Sequence, residues 1–158
     1  MYADILVPTD GSAGSDRIVE HATGLADAHG ATLHLLYVVN TASFATLPMD
    51  SSYEGIASML EEEGDAALDA AAATIDRIAP EIPVQRVVRE GSPAAEIIEY
   101  ATGTGCDLVA MGTHGRGGLN RLLLGSVAER VVRNSPVPVL TVRVGEIPDE
   151  TAESGTQG

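Results

Sequence analysis

Lysine is absent from this 158-residue chain, so all nine basic residues are arginine. That excludes every chemistry that needs a primary amine on a side chain. No Walker A lysine can reach β- and γ-phosphates, no kinase-type lysine can pair with a phosphate, and no Schiff base can form. A single cysteine, Cys106, excludes an intramolecular disulfide and suits a reducing interior. It reads as a small packing residue rather than a redox centre. Aromatic residues are only 3% of the chain against 44% apolar overall, which leaves Val, Ile, Leu and Ala to fill the core, as in parallel sheets covered by helices. No stretch of about 18 apolar residues occurs, and the opening M-Y-A-D-I-L-V-P has no basic leader region. The expectation is a soluble, cytoplasmic protein without a membrane partner.

Positive charge is scarce as well. The formal net charge is -14, a field that repels DNA, RNA and anionic membranes, so a nucleic-acid partner is excluded. Two readings of the acidity stand: plain solubility, or adaptation to a high-salt cytoplasm, where the Debye length falls to about 3 Å at 1 M and self-repulsion is screened. The missing lysine favours the second, a halophilic protein that loses structure at low ionic strength.

What the chain does contain is a regular alternation. Ala3 to Pro8 is an apolar run stopped by Thr9-Asp10-Gly11-Ser12. Ser12 or Ser15 can cap a helix carrying Ile18, Ala22 and Leu25 on one face and closed by Gly30. Ala31 to Val39 is rich in residues that favour strands. Asn40 to Gly55 lacks periodicity and reads as a loop, either a lid or a surface insertion. Ile56 to Ala79 predicts a long helix with Leu60, Leu68, Ala71, Ile75 and Ile78 inward and Glu61 to Glu63 as a solvated face. Val84 to Arg89 is a third strand. Ser92-Pro93 starts a helix with Ile97, Ile98 and Ala101 inward, fraying at Gly103-Thr104-Gly105. Asp107 to Met111 is a fourth strand, Ser126 to Asn134 a fourth helix, and Val137 to Val144 a last strand placed at an edge by Pro138. Residues 1–145 then form one domain, and 146–158 a flexible acidic tail.

Five strands alternating with helices predict an α/β fold, a three-layer doubly wound sandwich around a parallel sheet. Ligands of such sheets sit beyond the carboxyl ends of the strands where strand order reverses. Two strand ends are polar and glycine-rich: Thr9-Asp10-Gly11-Ser12 after the first, and the stretch M-G-T-H-G-R-G-G-L-N-R-L-L-L-G-S, residues 111–126, after the fourth. A strand, a glycine-rich turn and a helix N-terminus in succession direct backbone N–H groups at an anion, which suits phosphate. If the first and fourth strands are neighbours, the two turns face each other across one crevice.

Gly112, Gly115 and Gly125-Ser126 spell G-x2-G-x9-G-[ST], which resembles the ATP-binding signature of the universal stress protein family. The similarity runs from I-L-V-P-T-D-G-S to P-V-P-V-L-T-V and so covers nearly the whole chain. It implies a five-stranded sheet ordered 3-2-1-4-5, a Rossmann-like, adenine nucleotide alpha hydrolase-like arrangement that makes strands one and four neighbours. It further implies that Pro8, Thr9 and Asp10 lie by adenine and ribose, with Val38 or Val39, and that Met111, Gly112, Gly115, Gly125, Ser126 and Val127 line ribose and phosphates. Of the intervening residues, Arg116 either reaches phosphate or stays solvated, and His114 is a further contact or simply a turn residue. Ala128 departs from relatives with a hydroxyl at that position, which removes about 1 kcal/mol of phosphate grip.

Each assignment has a plainer rival. Ser126 and Glu129 form a capping-box pattern, so the serine can serve its own helix. Asp10 can be a turn-former bonding its own backbone. The resemblance implies ATP with Mg²⁺ bound through the phosphates, slow or absent hydrolysis, and a homodimer formed by antiparallel pairing of last strands. Competing readings are an adenylyl-transfer or ATP-hydrolysing enzyme in the same crevice, and a dimeric module that binds no nucleotide. The first turn, Asp10 to Ser15, matches the S-G-G-x-D-S of ATP pyrophosphatases poorly, and Gly115 to Asn120 lacks the last glycine of a dinucleotide fingerprint.

Overall fold

A computed structural model describes residues 1–12, 14–41, 53–113 and 124–143. The elements in order are β1 (Asp4–Pro8), α1 (Ser15–His29), β2 (Thr32–Asn40), α2 (Tyr53–Ile78), β3 (Val84–Gly91), α3 (Pro93–Thr104), β4 (Leu108–Gly112), α4 (Ser126–Asn134) and β5 (Val139–Val142). All five strands are parallel, in the order β3-β2-β1-β4-β5. The expected order is therefore the observed one.

Alternation along the strands splits the core into two layers. Ile5 and Val7 of β1 join Leu33 and Leu35 of β2 beneath α1 and α2, with Ile18, Ala22, Leu68 and Ile75 from the helices. Leu6 and Leu36 point the other way, to Ile97, Tyr100 and Ala101 of α3 and Ala128 and Val131 of α4. Leu6, Leu33, Leu35 and Leu36 have no exposed surface, and each contributes about 1.5–3 kcal/mol by leaving water.

β1 is the hub, paired with β2 on one side and β4 on the other. Asp107 fastens its start: its carboxylate accepts the Ala3 amide at 3.0 Å and the Asp4 amide at 3.3 Å, while its own amide donates to the Asp4 carbonyl at 2.9 Å. A second polar tie crosses the α3 face. His34 Nε2 lies 2.9 Å from Asp4 Oδ1 and its Nδ1 lies 2.8 Å from the Tyr100 hydroxyl. With the ring neutral, the carboxylate can only accept, so Nε2 carries the hydrogen and Nδ1 accepts from Tyr100.

Several boundaries differ from the sequence expectation for identifiable reasons. α1 is capped neither by Ser12 nor by Ser15: Gly14, in the left-handed region at φ 94°, precedes it, and the Ser15 amide donates to the Ser12 carbonyl. Ser92 and Pro93 do start α3, but the serine makes no side-chain cap bond. Ile78 is exposed at the end of α2, whereas the next residue, Ala79, is buried and Ile82 packs against the α1–α2 layer. β5 is shorter than expected and begins after Pro138, whose carbonyl still accepts the Val109 amide; it lies at the sheet edge, as the proline required. Most of the expected loop at 40–55 and the tail at 146–158 fall outside the described residues.

Candidate functional site

β1 and β4 lie side by side, Ile5 beside Leu108 and Leu6 beside Val109. Continuing that offset brings Pro8 level with Met111, so both polar turns leave the same end of adjacent strands. This is the reversal point of the sheet, because the chain goes from β1 to β2 on one side and reaches β4 only after β3 on the other.

The first turn is held by its own polar atoms. The Thr9 amide donates to the Leu36 carbonyl of β2 at 2.9 Å, the Gly11 amide to Thr9 Oγ1 at 3.3 Å, and the Ser12 amide to Asp10 Oδ1 at 2.9 Å. Asp10 thus makes the Asx turn that its plainer reading foresaw, and the turn orients the carboxylate at the strand end. Thr9 is buried, while Pro8 and Asp10 are half-buried. On the α1–α2 side of this turn a groove of about 290 Å³ runs between Thr9, Ser12 and Ser15 and the alanine face of α2 at Ala66 and Ala70. Ser15 Oγ is buried without a hydrogen-bond partner.

The second turn is anchored through Thr113. Its amide donates to the Val142 carbonyl of β5 at 3.0 Å, and its carbonyl accepts the Gly125 amide at 2.7 Å. Gly125 is the residue before α4, with extended backbone, and its carbonyl accepts the Glu129 amide. Ser126 is consequently the first helical residue and not the cap, which removes the capping-box role. The amides of Ser126, Val127 and Ala128 precede the first helical hydrogen bond and have no carbonyl partner within α4. They form a neutral donor set carrying about half a positive charge at the helix start.

The structure also separates two alternatives on β2. Val38 packs in the layer that contains Met111 and Val127, whereas Val39 is buried in the opposite layer beneath α1 and α2. Of the other candidate positions, Met111 and Gly112 are buried at the end of β4, Gly125 and Val127 are half-buried, and Ser126 is exposed. His114, Gly115 and Arg116 lie outside the described residues. Thr113 was not singled out from sequence, because its role rests on two backbone bonds that no side-chain type announces.

Two buried titratable groups away from these turns, Cys106 and Tyr100, are shifted. Burial pushes the Cys106 thiol up, with the Thr104 hydroxyl at 3.4 Å opposing the shift, and the same cause raises the Tyr100 phenol against the lowering effect of Arg89. Among the described residues no group of three or more His, Cys, Asp or Glu side chains could hold a metal ion, and no helix is long and apolar enough to cross a membrane.

The model of the universal stress protein family matches residues 1–143. A universal stress protein of Methanocaldococcus jannaschii is 41% identical over 145 residues, covering 90% of this chain and 83% of the relative. Among solved structures, the universal stress protein UspA from Lactobacillus plantarum aligns with a TM-score of 0.75 at 27% identity, over 90% of this chain and 98% of that one. A universal stress protein crystallised in complex with cAMP aligns with a TM-score of 0.64 at 26% identity, over 91% of this chain and 98% of that one. With a family match across nine-tenths of its length and a relative 41% identical over most of both chains, the chain belongs to the universal stress protein family.

Proposed function

We propose that this protein is a cytoplasmic nucleotide-binding stress or regulatory module that holds ATP, with Mg²⁺ carried on the phosphates, and hydrolyses it slowly or not at all. The observation that carries the reading is what stands at the ends of the adjacent strands β1 and β4: a buried threonine and an oriented carboxylate after β1, and three helix-start amides tied to the end of β4 through Thr113. Adenosine fits against Pro8, Thr9, Asp10, Val38 and Met111. The phosphates fit against Gly112, Gly115, Gly125, Ser126 and Val127, with His114 and Arg116 in the intervening turn.

The donor set suits the ligand. Backbone dipoles bind phosphate without a lysine, and glycines allow close approach of the chain. A related stress protein was crystallised with cAMP, which supports the same ligand class here. Slow turnover fits the chemistry: the chain has no lysine to stabilise a transferring phosphate, and among the described residues no positioned base is assigned to activate water. β5, the last strand of the sheet, is a pairing template for a second copy about a two-fold axis, giving a homodimer.

The deciding experiment is acid extraction of a fresh preparation made in molar KCl, followed by chromatography of the released nucleotide and a calorimetric ATP titration of the stripped protein. An adenine nucleotide in the extract and saturable ATP binding are expected. An empty extract together with a flat titration refutes the reading.

A further inference from the structure

Charge is unevenly distributed along the chain. Residues 108–143 hold five of the nine arginines and only one of the 23 carboxylates, Glu129, a net of +4 within a protein of net -14. Among the described residues four arginines pair with carboxylates: Arg77 with Glu20, Arg86 with Asp69, Arg89 with Glu96 and Glu99, and Arg133 with Glu129. Arg17 also makes a contact. Among the described residues, Arg130 and Arg143 have no ion-pair partner.

Their positions differ in kind. Arg130 is exposed more than a turn along α4 from its start. Arg143 directly follows Val142, whose carbonyl accepts the Thr113 amide, and the Thr113 carbonyl in turn accepts the Gly125 amide. Arg143 is therefore two backbone hydrogen bonds from the residue that caps the phosphate-binding helix, at the same end of the sheet as both turns.

We infer that Arg143 is a specificity-determining residue that selects nucleotides with more than one phosphate over nucleoside monophosphates. The inference rests on the nucleotide reading above and deepens it. Helix-start amides supply partial charges adequate for one phosphate, but each added phosphate brings further negative charge into the field of an acidic protein. A guanidinium offers a full charge and a planar fork that binds phosphate oxygens in pairs. An exposed arginine with no carboxylate to release reaches the outer phosphates without first breaking an ion pair.

The test is calorimetric titration of the full chain with ATP, ADP and AMP, comparing wild type with Arg143→Gln, Arg143→Lys and Arg77→Gln. Arg77 is also exposed, lies on α2 and gives the same change in net charge. Arg143→Gln is expected to bind ATP about tenfold more weakly, the scale of one lost hydrogen bond to a charged group, and AMP within about twofold of wild type. Arg143→Lys should recover part of the loss, and Arg77→Gln should match wild type. Equal ATP affinity in Arg143→Gln and wild type overturns the inference, as does an equal loss for ATP and AMP. A change in dimer mass with unchanged ATP affinity also overturns it and assigns Arg143 to the strand edge. Failure of the underlying reading is separate: wild type would then bind none of the three nucleotides.

Discussion

Gly24 and Gly64 are both interior helical glycines, yet their replacement by alanine should shift stability in opposite directions. Glycine in a helix interior costs about 1 kcal/mol relative to alanine, so Gly→Ala is ordinarily stabilising where space allows. Gly24 on α1 is exposed, and a Cβ built there meets nothing within 4 Å. Gly64 on α2 is buried, and the same Cβ falls 2.7 Å from Cδ1 of Tyr37 and 3.1 Å from its Cγ and Cε1. Those atoms are the root of the ring, and Tyr37 on β2 is only 6% exposed, so the ring has no solvent to retreat into. A Cβ at 2.7 Å from the ring places the overpacking in the upper part of the usual 1–3 kcal/mol, about 2–3, which outweighs the gain of about 1 in propensity and leaves a net loss of about 1–2 kcal/mol for Gly64→Ala. At about 2–4 °C per kcal/mol for a chain of this size, Tm should fall by about 2–8 °C, whereas Gly24→Ala should raise it by about 2–4 °C. Thermal melts followed by circular dichroism in molar KCl measure both. The decisive arm is a Tyr37→Leu background, in which Gly64→Ala should change sign and become stabilising. If the two alanine variants raise Tm equally, or the sign persists without the tyrosine ring, the packing argument is wrong.

Other expectations follow from the polar ties and the sheet edge. Tyr100→Phe keeps the ring contacts with His34 and Arg89 but removes the hydroxyl that His34 Nδ1 accepts from, which should cost about 1–3 kcal/mol; an unchanged melt would show that the bond contributes nothing. Cys106 and Tyr100 are both raised above their ordinary values of 9.0 and 10.0, chiefly by burial, so the folded chain keeps protons that the unfolded chain releases. Stability should be full below about pH 9 and fall as pH rises beyond it; Cys106→Ala should flatten the first part of that fall, and a parallel curve would sink the assignment. Val139→Lys, placing a charge in β5, should shift the mass in light scattering from dimer to monomer, whereas a monomeric wild type in molar salt would remove the case for edge pairing.

The elements legible in the sequence are those fixed by periodicity and glycine. Short apolar runs such as Ile5 to Val7, and the strand-favouring stretch around Leu33 to Leu36, predicted buried strands, and the resemblance carried by Gly112, Gly115 and Gly125 implied the order that the sheet adopts. What stayed hidden depends on backbone geometry and on contacts distant in sequence. Ser126 resembled a cap, but the Thr113 carbonyl draws the Gly125 amide and moves the helix start by one residue. Ser12 resembled a cap too, yet Gly14 supplies a left-handed turn that no serine replaces. The Asp4, His34 and Tyr100 array joins residues 30 and 66 positions apart, so no local pattern could announce it. Val38 and Val39 were equivalent as neighbours in a strand and became distinct only when the two faces acquired different helices.

The fastening of Asp107 to the start of β1 also has a bearing on how the chain is made. β1 is the middle strand, but its second neighbour lies 103 residues downstream of the bond at Asp4. Ribosomes add about 5–20 residues per second, so for about 5–20 s the nascent chain carries its central strand with one side uncovered. During that interval the unpaired edge of an apolar strand is open to other nascent chains. The acidic helices α1 and α2, already synthesised, then supply the repulsion that keeps neighbouring chains apart until β4 arrives.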